Sequence, residues 1–251
     1  MHPLTNRRAL VVGASRGIGA AIAHAMAAAG AKVAVAARSV DALRATATEI
    51  AALDREVLTL TLDLRDPESV SAGVKHAHDQ LDGLDIVVDS GGISPVFHAA
   101  EATSIDDWDA IFATNARGAF LLARAAGPYL LAQGRGVVLF VTSVHEEVAT
   151  EKLAAYCASK GAVRMLARVL ALEWAGRGVR VNCLAPGYVE TSMTAGIRGN
   201  QHLLGRVLDQ TPLRRLATPG EIAAAAVYLV SDAASFVTGT SLVLDGGWTA
   251  R

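Results

Sequence analysis

The sequence predicts an α/β fold, a doubly wound parallel sheet with helices on both faces. Three observations carry that prediction. Short aliphatic runs alternate with longer amphipathic stretches along the whole chain, the pattern of strand–helix–strand units. The aliphatic runs are nearly continuous, as strands buried on both faces require. The first run is followed at once by a glycine-rich turn that opens a helical stretch, the place where doubly wound sheets bind ligands.

Taken in order, strands are expected at 9–12, 32–37, 57–62, 85–88, 137–141, 179–184 and 241–244. Helices are expected between most of them, at 17–29, 40–53, 67–81, 105–131 and 155–176. A late helix has a marked start in Thr218-Pro219-Gly220-Glu221, a capping box with proline at the first helical position. Before it, from about 190 to 217, strand character is lost and Gly196, Gly199, Asn200 and Pro212 appear. A connection of that length reads as a lid or substrate loop. No repeat, low-complexity segment or internal boundary is visible, so 1–251 is read as one domain.

Apolar residues make up 52% of the 251 residues, enough for a large core. The formal net charge of −1 offers no attraction to nucleic acid or an anionic membrane. Cys157 and Cys183 fit no metal or redox spacing, so no metal is expected and a reduced, cytoplasmic setting is the simplest reading. The apolar stretch 9–37 is interrupted by Arg16, His24 and Lys32, which removes it as a membrane span.

Chemistry is concentrated in Tyr156-Cys157-Ala158-Ser159-Lys160. Four residues apart on a helix, the tyrosine and lysine share a face. An ammonium near a phenol favours phenolate and lowers the tyrosine pKa from its usual ~10. Such a tyrosine can exchange a proton with an alcohol, and Ser143, at the end of the run 137–141, can polarise the same oxygen. The glycine turn Gly13-Ala-Ser-Arg-Gly17-Ile-Gly19 suits a pyrophosphate resting on a helix N-terminus. The second strand ends in Ala36-Ala37-Arg38-Ser39, without the acid that selects NAD. Arg38 and Arg16 can instead hold a 2′-phosphate; the alternative is that both are solvated surface arginines. Asp63 closes the third strand, where its acid can meet an adenine amino group or serve a turn before Pro67. Asn115, beside Gly118 in a helical run, is a poor mid-helix residue, which points to a local distortion or to an ordinary polar face.

Together these residues resemble the short-chain dehydrogenase/reductase family over essentially the whole chain. The likeness extends to Asn182-Cys-Leu-Ala-Pro186-Gly187, to Thr191 and to Asp245-Gly246-Gly247. It implies a Rossmann fold with seven parallel strands in the order 3-2-1-4-5-6-7, nicotinamide-dependent redox chemistry and often a homotetramer built on helices near 105–131 and 155–176. Residue by residue, it implies Tyr156 as general acid or base, Lys160 lowering its pKa and binding the nicotinamide ribose, Ser143 orienting the substrate oxygen, and Asn115 holding a water that links Lys160 to solvent. It implies cofactor contacts from Gly13, Ser15, Arg16, Gly17, Ile18 and Gly19, from Arg38, Asp63 and Leu64, and from Ser90, Gly91 and Gly92. Further contacts would come from Tyr156 and Lys160 and from Pro186, Gly187, Val189 and Thr191. With Ala37 in the acid's position, NADP(H) is expected over NAD(H).

Two positions depart from the family pattern. Val12 stands where threonine is usual, and Asp89-Ser90-Gly91-Gly92 where Asn-Asn-Ala-Gly is usual. Strands one and four are neighbours in the implied order, so both changes are expected in one local contact. The substrate would be a small carbonyl or alcohol. Ser143-Val-His145-Glu146 is similar to the segment of the family's glucose dehydrogenases, so His145 and Glu146 are candidates for binding a sugar or polyol, with Ser94 where those enzymes often carry a carboxylate. The pattern also resembles 3-oxoacyl-carrier-protein reductases, for which Arg135 and Arg177 offer some basic character. A nucleotide-sensing protein on the same fold, without catalysis, is the alternative of a different class, and a purely structural oligomer is a third.

Overall fold

The computed structural model describes residues 2–94 and 96–250. Seven strands form one parallel sheet in the order β3-β2-β1-β4-β5-β6-β7. They are β1 (Arg8–Val12), β2 (Lys32–Ala37), β3 (Val57–Thr61), β4 (Ile86–Asp89), β5 (Gly136–Val141), β6 (Val179–Pro186) and β7 (Ser241–Leu244). The helices are α1 (Gly17–Ala28), α2 (Arg44–Ala51), α3 (Pro67–Leu81), α4 (Ile105–Phe112), α5 (Gly118–Ala132), α6 (Ala154–Trp174), α7 (Ala195–Arg198), α8 (Gln201–Gln210) and α9 (Pro219–Val230). The chain is thus a Rossmann-type fold with the expected sheet order.

Neighbouring strand residues point to opposite faces, and the core divides accordingly. Leu10 and Val12 of β1 join a cluster with Val70, Leu122 and Val163 from α3, α5 and α6. Ala9 and Val11 join the opposite cluster, with Ile22, Ile50 and Ile222 from α1, α2 and α9. Both faces of β1 are therefore sealed, which is why its sequence runs aliphatic without a polar break. Among the described residues, no helix is long and apolar enough to cross a membrane.

Helix starts follow local chemistry. The Asp66 side chain accepts the Glu68 N–H at 3.0 Å ahead of Pro67. Thr218 and Glu221 close the capping box in both directions, the Glu221 carboxylate accepting the Thr218 N–H at 2.8 Å. Three sequence expectations change in detail. The stretch 40–53 begins as a 3-10 turn, Asp41–Leu43, before α2. The stretch 105–131 is divided into α4 and α5 by a π-helical turn, Ala113–Arg117, that contains Asn115. The stretch 190–217 carries α7 and α8 and is closed at its base by a bridge between Val189 and Ala217.

Candidate active site

The carboxyl ends of β1, β4, β5 and β6 meet along one edge of the sheet, and the first two build a glycine cradle. Gly13 has φ +78°, and a Cβ there would lie 2.7 Å from the Gly91 nitrogen. A Cβ at Gly19 would stand 2.2 Å from the Gly13 carbonyl oxygen. Neither site admits a side chain, so the loop closes tightly onto the β4 end. The Gly13 and Ala14 N–H groups both donate to the Ala36 carbonyl, at 2.9 and 3.2 Å, anchoring the loop to β2. The α1 N-terminus, next to Ser15 and Ile18, has no side-chain cap and no acid in its first turn. Its N–H groups are therefore available to an anion. Thr191 overhangs the same turn, its methyl 3.3 Å from a Cβ placed on Gly17. Glycine cradle, open helix end and overhanging threonine fit a dinucleotide.

Arg16 and Arg38 are both exposed, and neither forms an ion pair among the described residues. Asp63 takes the turn role: its carboxylate accepts from Arg65 Nη2 at 2.8 Å and from the Arg65 N–H at 3.0 Å. The Arg65 hydrogen bond holds this acid below its usual range, and the Arg38 charge adds to the effect. Leu64 lies under the β4 loop, where a Cβ on Gly91 would stand 2.2 Å from its Cδ1.

Val12 and Asp89 are register partners on β1 and β4, so the two departures from the family pattern fall in one contact. Asp89 is 4% exposed and accepts the Gly91 N–H at 2.9 Å. Burial pushes its carboxyl up to about 6, although Gly91 and the Lys160 charge favour the ionised form. Val12 has no hydroxyl to offer it.

Ser143 follows β5 with its hydroxyl accepting the His145 N–H at 3.2 Å. Tyr156 lies in the first turn of α6, where its phenol comes under the influence of the Ser143 side chain. Lys160 is one turn further along, buried, with Nζ 5.8 Å from the Tyr156 ring centroid. The expected lowering of the tyrosine pKa is not found. Burial pushes the phenol up to about 12, against a smaller opposing effect of the Ser143 side chain. The physical reason is where the lysine points: Nζ donates to the Val141 carbonyl at 3.0 Å, and burial depresses Lys160 itself.

Asn115 ties three segments together. Its Oδ1 accepts the Ile93 N–H at 2.8 Å, while Nδ2 donates to the Ile93 carbonyl and to Ser159 Oγ, each at 3.0 Å. The expected distortion is thus a π turn that aims this amide between the β4 loop and α6. Gly92 completes the junction: a Cβ there would sit 3.3 Å from Lys160 Nζ and 3.6 Å from Asn115 Oδ1. Ser94, half-buried, follows Ile93. Pro186 and Val189 are buried at the end of β6, and Gly187 passes so close to Asp245 that a Cβ would stand 2.9 Å from the Asp245 Cα.

The expected His145–Glu146 pair is split. His145 stands edge-on to Tyr156, with ring centroids 6.2 Å apart. Glu146 is buried with its carboxylate 3.5 Å from Arg164 of α6, and among the described residues neither of its oxygens has a hydrogen-bond partner. The backbone turn at 144–146 sends consecutive side chains different ways, and the guanidinium draws the glutamate to the helix side. Two residues absent from the sequence reading complete the wall. Tyr188 and Trp248 both meet His145 edge-on, at 6.3 and 5.7 Å. A signal for them exists in the sequence. With aromatics only 5% of the chain, each directly follows a glycine already singled out, Gly187 and Gly247.

Residues 13–249 match the family model described as enoyl-(acyl carrier protein) reductase. Galactitol 2-dehydrogenase (L-tagatose-forming) of Cereibacter sphaeroides is 42% identical over 243 residues, covering 96% of this chain and 94% of that protein. D-threitol dehydrogenase of Mycolicibacterium smegmatis is 39% identical over 249 residues, covering 99% and 95%. The crystal structure of a gluconate 5-dehydrogenase from Burkholderia cenocepacia, in complex with NADP and tartrate, is similar with a TM-score of 0.95 at 32% identity, covering 99% of this chain and 97% of that one. Likeness of this extent in both sequence and sheet makes the chain a member of the short-chain dehydrogenase/reductase family, an oxidoreductase of CH–OH groups that uses a nicotinamide dinucleotide.

Proposed function

We propose that this enzyme is an NADP(H)-preferring dehydrogenase that interconverts a secondary alcohol and a ketone on a small sugar or polyol in the cytoplasm. The observation that carries the reading is the placement of Tyr156 and Lys160 one helical turn apart on α6, Nζ 5.8 Å from the phenol ring centroid, with Lys160 against Gly92 of the glycine cradle. When bound, the dinucleotide supplies the hydride acceptor or donor. The chain's own task is then to position the alcohol and to manage one proton. Tyr156 takes that proton in oxidation and returns it in reduction, Ser143 orients the reacting oxygen, and Lys160, buried beside Gly92, would bind the nicotinamide ribose. Asn115 positions the β4 loop against α6 and holds a water on the proton path. Residues 13–19 and Thr191 would hold the diphosphate, and Ser90, Gly91, Pro186, Gly187 and Val189 would hold the nicotinamide. The names of the polyol-oxidising relatives support the substrate class.

The test is a panel of polyols, sugars, simple ketones and 3-oxoacyl thioesters, assayed with both dinucleotides by the absorbance of reduced nicotinamide. Faster turnover of the thioesters would replace the polyol reading. Dinucleotide binding without turnover of any member would favour a sensor.

Arg16 and Arg38 flank the place where a 2′-phosphate would lie, and Ala37 offers no acid to a free ribose hydroxyl. Charge-assisted contacts of this kind are worth roughly tenfold to a hundredfold in affinity. Calorimetry is expected to show NADPH binding tighter than NADH by about that factor. Ala37→Asp with Arg38→Leu should move the preference toward NADH. Tighter NADH binding by the native enzyme would remove the phosphate reading.

We further propose that residues 1–251 act as one domain, with 190–217 facing the substrate, and that it assembles as a homotetramer. Phe120 of α5 and Met165, Val169 and Leu172 of α6 support the assembly, since they are exposed although apolar, Leu172 at 86%. A second copy is what such a face needs. Light scattering is expected to report four chains, and Leu172→Glu a smaller species. A monomeric native enzyme would discard the tetramer.

A further inference from the structure

Tyr156, Lys160 and Arg164 stand at successive four-residue steps of α6 and share one stripe of it. The turn that follows β5 packs against this helix: a Cβ on Gly161 would lie 3.6 Å from the Glu146 carbonyl oxygen. The turn is tied to Ser143, whose carbonyl accepts the Glu146 N–H at 2.9 Å. It delivers the Glu146 side chain, 1% exposed, into the interior beside Arg164.

Arg164 is shared between two acids. Its Nη1 meets Glu147 Oε2 at 3.0 Å, whereas its Nε stays 3.5 Å from Glu146 Oε1. Among the described residues, neither Glu146 oxygen nor Arg164 Nε has a hydrogen-bond partner. The guanidinium thus leans toward the exposed Glu147 and leaves part of the buried carboxylate's charge unanswered. Such a charge is weakly screened and acts over several ångströms. It acts on Lys160, the neighbouring cation of the stripe. Burial depresses the lysine, and Asp89 of β4, Cys183 of β6 and Glu146 oppose that effect. Burial pushes the Cys183 thiol up and the Tyr156 phenol up to about 12, so both are neutral at moderately alkaline pH. Asp89, pushed up to about 6 by burial, is charged there. Asp89, Lys160, Glu146, Arg164 and Glu147 therefore alternate in charge from the cofactor loop to the surface.

We propose that Glu146 is a positioning residue for the dinucleotide site: its buried carboxylate, tempered by Arg164, keeps Lys160 an ammonium and so ready to bond the nicotinamide ribose. The proposal rests on the ribose role given to Lys160 above. Lys160 spends one donor on the Val141 carbonyl at 3.0 Å, and an ammonium has two more for ribose hydroxyls. Loss of the charge would turn those charge-assisted bonds into weaker ordinary ones. The two members of the pair act with opposite sign. Without Glu146, Lys160 faces the Arg164 charge with no acid between them, and its proton leaves at lower pH. Without Arg164, the carboxylate is unopposed and the proton is held to higher pH. A pair that served packing alone would do harm at every pH, whichever member was removed.

The experiment measures Kd for NADPH by nucleotide fluorescence, from neutral to alkaline pH, in the native enzyme, Glu146→Gln, Arg164→Met, the double variant and Lys160→Ala. Native Kd is expected to rise on the alkaline side as Lys160 loses its proton, and Lys160→Ala to bind weakly throughout without that rise. Glu146→Gln should match native at neutral pH and rise earlier, so that within the rise its Kd is about three- to tenfold weaker than native. Arg164→Met should rise later than native. The double variant should still rise earlier than native, since the acid acts on Lys160 more strongly than the guanidinium does. Thermal melting reports folding separately. Should a single variant fail to fold, the double variant, which leaves neither charge unpaired, decides: an earlier rise supports the inference, and an unmoved or later one overturns it. An unmoved rise in Glu146→Gln, equal weakening at every pH, or a shift of the same sign in both single variants would overturn the inference while the ribose role of Lys160 stands. Native-like binding by Lys160→Ala would overturn both, and turnover on the substrate panel would still test the dehydrogenase reading.

Discussion

Tyr156→Phe is expected to lower kcat/KM by ~10²–10⁴-fold, the usual worth of a positioned general acid or base, while dinucleotide affinity stays close to native. The variant removes one oxygen and keeps the ring that packs against His145. Lys160→Ala should damage both turnover and dinucleotide binding, because the ammonium lies beside Gly92 of the cofactor loop as well as near the tyrosine. Ser143→Ala should cost turnover with little effect on the dinucleotide. The pH dependence separates these roles. Oxidation needs the phenolate, and burial pushes the phenol up to about 12. Below that value the phenolate fraction grows with pH, so alcohol oxidation should speed up across the neutral and alkaline range. The residual rate of Tyr156→Phe should lack that slope. Near-native turnover by Tyr156→Phe would mean that the proton passes elsewhere.

Asp89→Asn is expected to stabilise the protein at pH 7.5. The carboxyl is pushed from 3.8 up to about 6 by burial. The folded state therefore binds its proton more tightly than the unfolded chain, and the sign follows directly. The protonated acid favours the fold at acid pH, and that contribution is lost as pH rises through about 6. Above that value, the gap between 3.8 and about 6, at ~1.4 kcal/mol per pH unit, leaves the charged group costing ~3 kcal/mol. Asparagine keeps an oxygen for the Gly91 N–H and carries no charge. Some benefit is given back, because Asp89 also supports the charge on Lys160. A net gain of ~1–3 kcal/mol should raise Tm by several degrees in a chain of this length. The gain should shrink as the medium is acidified toward pH 4. A lower Tm at pH 7.5, or a gain indifferent to acid, would show that the carboxylate has a required partner.

Strands were legible because burial on both faces leaves little room for polar residues, and each lies within about two residues of its expected span. Their order was not written in the aliphatic runs. It came from the family resemblance and agrees with the observed sheet. The catalytic spacing was legible because a helix turns i and i+4 to one face, and α6 does this for Tyr156 and Lys160. The charge state of the tyrosine was not, since it depends on burial and on where a long lysine side chain finds its acceptor. Glu146 illustrates the same limit. Adjacency to His145 suggested a shared cleft, whereas Arg164, eighteen positions away on a helix, claims the carboxylate. Tyr188 and Trp248 meet in space from distant parts of the chain, and no local pattern pairs them.

The π turn at Ala113–Arg117 has a consequence for helix phase. Such a turn holds one residue more than an α turn, so the segments on either side are offset by about 100° relative to an unbroken α-helix. Removing a single residue there would let α4 and α5 merge into one regular rod. It would also swing Asn115 off Ile93 and Ser159, the three contacts that join the β4 loop to α6. Insertions and deletions in this stretch therefore differ in kind from substitutions, because they rotate everything downstream. A chain one residue shorter at this point would hold the better helix and lose the joint that keeps Gly92 against Lys160.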